Sequence, residues 1–329
     1  MLDQLPPILG EEPVFLDAVE KCSRLALIDR PCLVVGERGT GKELFASRLH
    51  YLSPRWNGPL VKVNCAALSE TLLESELFGH EMGSFTGAQK RRAGRFELAD
   101  QGTLILDEIA NASAAVQEKV LRVIEYGTFE RVGGTETLNV DVRVIGSANV
   151  DLPEMAERGE FRADLLDRLA FDVITIPPLR ARPRDILPMA DSFGLDIARE
   201  LGLETFLGFS EIAREAMMSH AWPGNVRELR NAVERSVFAG SRREEPVDNL
   251  LIDPFENPWR PGLVDKSTLH DTLSALSVPQ NFTENVASYE KSILEKALMA
   301  ARHNQKEAAS RLDLSYHQFR RLLKKHAIP

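Results

Sequence analysis

The sequence predicts an α/β domain with a five-stranded parallel sheet and a helical lid, followed by a small all-α module near its C-terminal end. Two observations predict the first part. Short apolar, β-branched runs alternate with amphipathic segments, and a glycine-rich turn follows the first run. Such alternation marks strands buried on both faces by crossover helices. A third observation predicts the second part. From Ala300 to Pro329, seven basic residues (Arg302, Lys306, Arg311, Arg320, Arg321, Lys324, Lys325) stand against two acids, in a chain of net charge −9. A basic end on an acidic body suggests that one module meets phosphate and the rest does not.

The strand candidates, in order, are Cys32–Gly36, Leu60–Asn64, Thr103–Asp107, Val142–Ala148 and Asp172–Ile176. After Pro177-Pro178 the strands stop. Three helical patterns follow, roughly Asp185–Leu201, Ser210–Ser219 and Gly224–Ala239; the third opens on the turn Trp222-Pro223-Gly224-Asn225, where Asn225 is an N-cap candidate. The domain is therefore expected over 1–239, with its α/β part to about 178 and its lid over 179–239. From 240 to 285, periodicity fades and Pro246, Pro254, Pro258, Pro261 and Pro279 accumulate, the composition of a linker. Helical character returns over 286–329.

With 329 residues and 43% hydrophobic content, the chain can bury the cores of two or three domains. Its acidic balance argues against a protein that coats nucleic acid generally. Cys22, Cys32 and Cys65 are odd in number and form no Cys-x-x-Cys pair, as expected of reduced, buried thiols. The first residues show no basic start followed by an apolar run, and no segment reaches the ~20 apolar residues of a membrane span. A soluble cytoplasmic protein, associated with the nucleoid, is the expectation.

The chemistry begins at the glycine-rich turn. Gly36-Glu37-Arg38-Gly39-Thr40-Gly41-Lys42-Glu43 joins the first strand to a helix. Its glycines let backbone N–H groups curl around phosphate oxygens, Lys42 adds a point charge, and the helix N-terminus adds its dipole. Glu43 stands where a P-loop has the Ser or Thr hydroxyl that meets Mg²⁺, so that contact must come from elsewhere. Sixty-five residues after Lys42, the strand Thr103–Asp107 ends in Asp107-Glu108. Carboxylates at that edge of the sheet suit ATP hydrolysis: Asp107 to orient Mg²⁺ and its water, Glu108 to polarise the attacking water. Asn149, after the strand Val142–Ala148, is placed to touch the γ-phosphate or that water. Asn64, ending the second strand, is placed to bond Glu108 and hold it back.

These motifs, with Gly83-Ser84-Phe85-Thr86-Gly87-Ala88 above all, resemble the AAA+ bacterial enhancer-binding proteins that activate sigma-54 RNA polymerase. The resemblance spans essentially the whole chain and includes Glu76-Leu77-Phe78-Gly79-His80-Glu81, Phe161-Arg162-Ala163-Asp164 and Trp222-Pro223-Gly224-Asn225-Val226-Arg227-Glu228-Leu229. In that family Glu at the position of Glu43 is ordinary. The Gly83–Ala88 segment corresponds to the loop that contacts sigma-54 and moves with the nucleotide state, with Ser84 here where the common form has Ala. An aromatic ring exposed on a glycine-flanked loop is costly unless something binds it. The resemblance further implies ring assembly, expected to be hexameric. Arg162 and Arg168 would then act as arginine fingers across the subunit boundary, and Arg227 as the lid arginine that senses the nucleotide.

The tail reads as helices over 289–302, 305–312 and 315–326 with a turn at Asp313-Leu314, a helix-turn-helix of the Fis type. Ser315 is a good N-cap, and Asp313 replaces the usual turn glycine, tolerably because Asp visits the left-handed region. Tyr316, His317, Gln318 and Arg320 are candidates for base edges in upstream enhancer DNA; Arg321, Lys324 and Lys325 suit phosphates. The P-loop begins at residue 36, so no receiver or sensor domain is expected ahead of it. That arrangement and the wording of the tail are most similar to the branch of the family that serves the phage-shock, or membrane-stress, response and is restrained by an inhibitor acting in trans. Trp56, in a turn-rich segment, is either an exposed aromatic for such a partner or a ring partly buried under its own loop.

Overall fold

Seven strands form in the computed structural model, which describes residues 8–84, 88, 90–240, 245–256, 260, 282–301, 304–326 and 328. They are β1 (Cys32–Val35), β2 (Leu60–Asn64), β3 (Thr103–Asp107), β4 (Thr128–Glu130), β5 (Thr137–Asn139), β6 (Arg143–Ala148) and β7 (Val173–Thr175). Five make one parallel sheet in the order β2-β3-β6-β1-β7, as the apolar runs predict. Strands β4 and β5 pair separately as an antiparallel ribbon. At three residues each they are too short to show an alternation, so no periodic signal announces them.

Successive side chains leave a strand on opposite faces. Accordingly Leu104 and Leu106 of β3 enter one core and Ile105 the other. The Ile105 side is covered by α1 (Pro13–Ala26) and α2 (Lys42–Tyr51), through Phe15, Cys22, Phe45 and Leu49. The opposite side carries α3 (Glu70–Phe78), α4 (Arg95–Leu98), α5 (Ala114–Tyr126), α6 (Leu152–Glu157) and α7 (Ala163–Leu169). There Phe78, Phe96 and Phe129 gather with ring centroids 5.4–6.0 Å apart, fixing the ribbon to the body of the domain. The three cysteines are buried, and desolvation pushes their thiols up to about 11 or 12, so they stay protonated.

Two 3₁₀ turns after β7 lead into the lid, formed by α8 (Ile186–Glu200), α9 (Glu211–Ser219) and α10 (Asn225–Gly240) around a fully buried Trp222. Residues 245–252, which the sequence reading assigned to the linker, run back along the lid. Val247 exchanges backbone hydrogen bonds with Gly208 and Ser210 (2.9 and 3.1 Å), and Arg235 donates to the carbonyls of Leu251 and Ile252. Val247 and Leu250 pack on the lid core, so a few apolar residues among the prolines decide where the chain stays attached. Most of the remaining linker, 257–259 and 261–281, lies outside the described residues.

Met1–Pro254 and Phe255–Pro329 are separate compact units. The second contains α11 (Phe282–Ala300), α12 (Gln305–Arg311) and α13 (Tyr316–Lys325), packed through Leu294, Leu298, Ala308, Phe319 and Leu323. Asp313 takes φ +54°, the left-handed turn conformation its sequence position called for.

Candidate functional site

Parallel strands bring their C-terminal ends to one edge of the sheet, and the loops leaving that edge build the site. Gly39 and Gly41 adopt φ of +77° and +99°, which side-chain-bearing residues avoid. The loop they bend is braced from within: Thr40 Oγ1 donates to the Glu37 carbonyl at 2.9 Å, and Lys42 Nζ to the carbonyls of Gly36 and Glu37 at 2.9 and 3.0 Å. Burial lowers the Lys42 pKa, and the charges of Asp107 and Glu108 oppose that shift.

The register of the sheet sets the acidic half. Asn64 lies opposite Asp107, and its Nδ2 donates to Asp107 Oδ2 at 3.3 Å. The expected partner of Asn64, Glu108, is not the one it meets. Glu108 has already left the strand, at φ +53°, so the side chain opposite Asn64 is that of Asp107. Ser147 Oγ donates to the other oxygen, Asp107 Oδ1, and accepts from the Glu108 N–H at 3.4 Å. The sequence reading missed Ser147. Its signal was the lone hydroxyl of strand β6, buried to 1% exposure.

Arg38, Gly39, Gly41, Lys42, Glu43, Asp107, Glu108 and Arg227 line one cleft of about 390 Å³, with Phe193 and Arg230 of the lid as unforeseen neighbours. Asn149 lines the adjoining depression with Glu37 and Arg38. Two of the predicted residues have other partners. Glu43 pairs with Lys62 at 2.9 Å. The Glu37 carboxylate takes both terminal nitrogens of Arg180 and the amide of Asn225, which hold its pKa down to about 2. The lid rests directly on the loop: Arg227 N–H donates to the Gly39 carbonyl at 3.4 Å, and a Cβ on Gly39 would stand 2.2 Å from the Gly224 carbonyl oxygen.

Residues 8–176 match the model of the sigma-54 interaction domain, 180–250 that of the AAA+ ATPase lid domain, and 286–326 that of the bacterial regulatory protein, Fis family. The chain belongs to the sigma-54-dependent transcriptional activators. It is 55% identical over 321 residues to the Psp operon transcriptional activator of Escherichia coli (strain K12), an alignment covering 98% of each chain. It is 52% identical to the Nif-specific regulatory protein of Azotobacter vinelandii over 81% of this chain and 51% of that one. Among solved structures, NtrX from Brucella abortus in complex with ATP superposes with a TM-score of 0.71 at 31% identity, over 99% of this chain and 71% of that chain.

In this sigma-54-dependent activator, Phe85, Thr86 and Gly87 lie outside the described residues, while Gly83, Ser84 and Ala88 define the stem of their loop. Gly83 N–H donates to the Ala88 carbonyl at 2.9 Å. His80 bridges both Arg92 and Val132, tying the stem to the segment between β4 and β5. There Arg131, 5% exposed, forms ion pairs with Glu81 beside the stem and with Glu97 of α4. No motif announced Arg131 in the sequence.

Arg162 and Arg168 do not line the cleft of their own chain. They are solvent-accessible and held by carboxylates, Arg162 by Asp164 (2.7 Å) and Arg168 by Glu125 (2.8 Å). Trp56 is 39% exposed, between the two alternatives open for it. In the C-terminal unit, Ser315 and Gln318 form a capping box at the start of α13, so Oε1 of Gln318 is engaged by the Ser315 N–H and hydroxyl. Tyr316 is half-buried; His317, Arg320, Arg321 and Lys324 are exposed. Lys325, expected on phosphate, pairs with Glu290 at 2.8 Å together with His326.

Proposed function

We propose that this activator binds upstream enhancer DNA through α13, assembles into a hexameric ring, and uses ATP hydrolysis to drive the Phe85 loop against sigma-54 in the closed promoter complex. The observation that carries the reading is a phosphate loop, paired acids and an overlying lid in the same unit as the stem of the Gly83–Ala88 loop. Its target, by likeness to the Psp operon activator, is a phage-shock operon, and its inhibitor is a separate protein acting in trans, with Trp56 as one exposed contact.

Residue roles follow from chemistry. The Gly39 and Gly41 conformations turn backbone N–H groups toward phosphate, and Lys42 adds the cation. Among the described residues no cluster of three or more His, Cys, Asp or Glu forms a metal cage. Asp107, fixed by Asn64 and Ser147, is thus the carboxylate to share Mg²⁺ with phosphate oxygens, a mode Mg²⁺ commonly adopts. Bound Mg²⁺ would neutralise charge on the β- and γ-phosphates. Glu108 accepts a proton from the attacking water, and Arg227 and Asn149 read the γ-phosphate from the lid and from β6. Arg162 and Arg168 serve the neighbouring subunit's cleft; their carboxylate partners are screened by solvent, so these pairs can be exchanged for the neighbour's phosphate.

Phe85→Ala tests the loop assignment: ATPase activity is expected to persist while activation of a sigma-54 promoter is lost. Normal activation by that variant would refute it. If Arg162 and Arg168 act in trans, turnover per subunit rises steeply with protein concentration; a flat profile would favour a DNA-bound regulator whose nucleotide is merely structural.

A further inference from the structure

Asn225 occupies a position that the role of Arg227 does not explain. It is completely buried, sits at φ +54°, and begins α10. Its side chain works at both ends. Oδ1 accepts the Leu179 N–H at 2.7 Å, while Nδ2 donates to Glu37 Oε2 at 3.1 Å and to the Arg38 carbonyl at 3.0 Å. One amide therefore touches the phosphate loop, the turn where the chain leaves β7 for the lid, and the start of the helix that carries Arg227.

A buried amide is retained at a cost unless its polar atoms are all satisfied, and these are. Glycine would accommodate the left-handed backbone with less strain, so the backbone alone does not call for asparagine here. What asparagine adds is a rigid two-ended link. Residues 37 and 38 lie five and four positions before Lys42 in the loop that would close on phosphate. Any shift of that loop pulls on two bonds to Nδ2, and the other end of the same group holds Leu179 at the root of the lid. Arg180, the next residue, donates to both oxygens of the same Glu37 carboxylate, at 2.8 Å to the Oε2 that Asn225 also uses, so loop and lid root share a second tie.

We infer that Asn225 is a positioning residue that relays the state of the phosphate loop to the lid and thereby sets Arg227 over the cleft. This rests on the nucleotide reading of the site. Asn225→Asp separates the two halves of the relay. It keeps the size, the tolerance for positive φ and the oxygen that Leu179 uses, but turns the donor into an anionic oxygen facing Glu37 and the Arg38 carbonyl. Glu37→Ala cuts the same link from the half-exposed side and introduces no buried charge.

The test is hydrogen exchange over 178–182 and 222–228 in the full chain, with and without the non-hydrolysable analogue AMP-PNP, alongside steady-state ATPase kinetics. In the unaltered protein the analogue should slow exchange at the lid root at least tenfold. In both variants that slowing should largely vanish while the analogue still binds, with KM for ATP about tenfold higher and kcat changed less than threefold. The Asn225→Asp/Glu37→Ala double variant should be no worse than the worse single, as for two ends of one link. Normal lid protection in both single variants, or additive losses in the double, overturns the relay. Failure of the unaltered protein to bind AMP-PNP would overturn the nucleotide reading, and the relay with it.

Discussion

Adding one methyl group to Gly39 should dislodge the lid before any nucleotide is bound. Two costs arise in Gly39→Ala. At φ +77° the new Cβ meets the usual penalty of a left-handed residue, about 1–2 kcal/mol. The same atom would also stand 2.2 Å from the Gly224 carbonyl oxygen and 3.1 Å from Arg227 Cβ, the first more than about 1 Å inside ordinary contact. Neither neighbour is a flexible tip: Gly224 O is backbone and Arg227 Cβ is anchored to it. The lid must withdraw, stretching the Arg227 N–H to Gly39 carbonyl bond, already 3.4 Å long. Gly41→Ala is the matched control. Its φ of +99° carries a comparable penalty, but the nearest atom is Leu44 Cδ1 at 3.7 Å. Hydrogen exchange in the nucleotide-free protein distinguishes the two: amides of 179–182 and 225–229 should exchange roughly tenfold faster in Gly39→Ala, the factor that 1.4 kcal/mol represents, and near normally in Gly41→Ala. Equal exchange in the two variants would refute the reasoning, since backbone strain alone would then account for both.

Two further predictions concern neighbouring features. Ser147→Ala removes one of the two hydrogen bonds that orient Asp107 and leaves the Glu108 N–H without its acceptor. A hydrogen bond to a charged group is worth about 1.5–3 kcal/mol, so ATPase kcat should fall about tenfold or more while nucleotide binding without Mg²⁺ is unchanged; a kcat within twofold of normal would remove Ser147 from the site. Among the described residues Ser84 Oγ is buried with no hydrogen-bond partner, and a Cβ built on Gly133 would lie 2.6 Å from Ser84 Cβ, which shows how closely the loop stem is seated. An unpaired buried hydroxyl costs about 1–3 kcal/mol, so Ser84→Ala should raise the melting temperature of the ATPase domain by about 2 °C or more; a lower melting temperature would show that the hydroxyl is satisfied.

The elements with strong periodic signals are legible in the sequence. All five sheet strands fall within their predicted runs, differing by a residue at some ends; the signal is strongest for the inner strands β1, β3 and β6, whose burial along nearly their whole length demands mainly apolar residues. Asp313 was legible for the same kind of local reason: a two-helix turn needs a left-handed residue, and few types supply one. Ribbon β4–β5 was not, since its stability comes from Phe129 packing on Phe78 and Phe96 rather than from its own pattern. The linker boundary was misplaced because Val247 and Leu250 count as isolated apolar residues until the lid surface receives them.

By itself, then, the sequence determined the kinds of groups present: a loop able to bend around phosphate, acids at a strand end, arginines within recognisable motifs and a capped basic helix. These are local properties, carried by φ preferences, charge and spacing along the chain. Only the tertiary structure decided which group meets which. Register set Asn64 beside Asp107 rather than Glu108, β6 brought Ser147 to the same carboxylate, and the lid turned Glu37 from a phosphate-loop residue into a partner of Arg180 and Asn225. Glu37 and Asn225 are 188 positions apart in the chain. A hydrogen bond acts over about 3 Å of space, and chain spacing says nothing about that distance until the sheet and lid have folded.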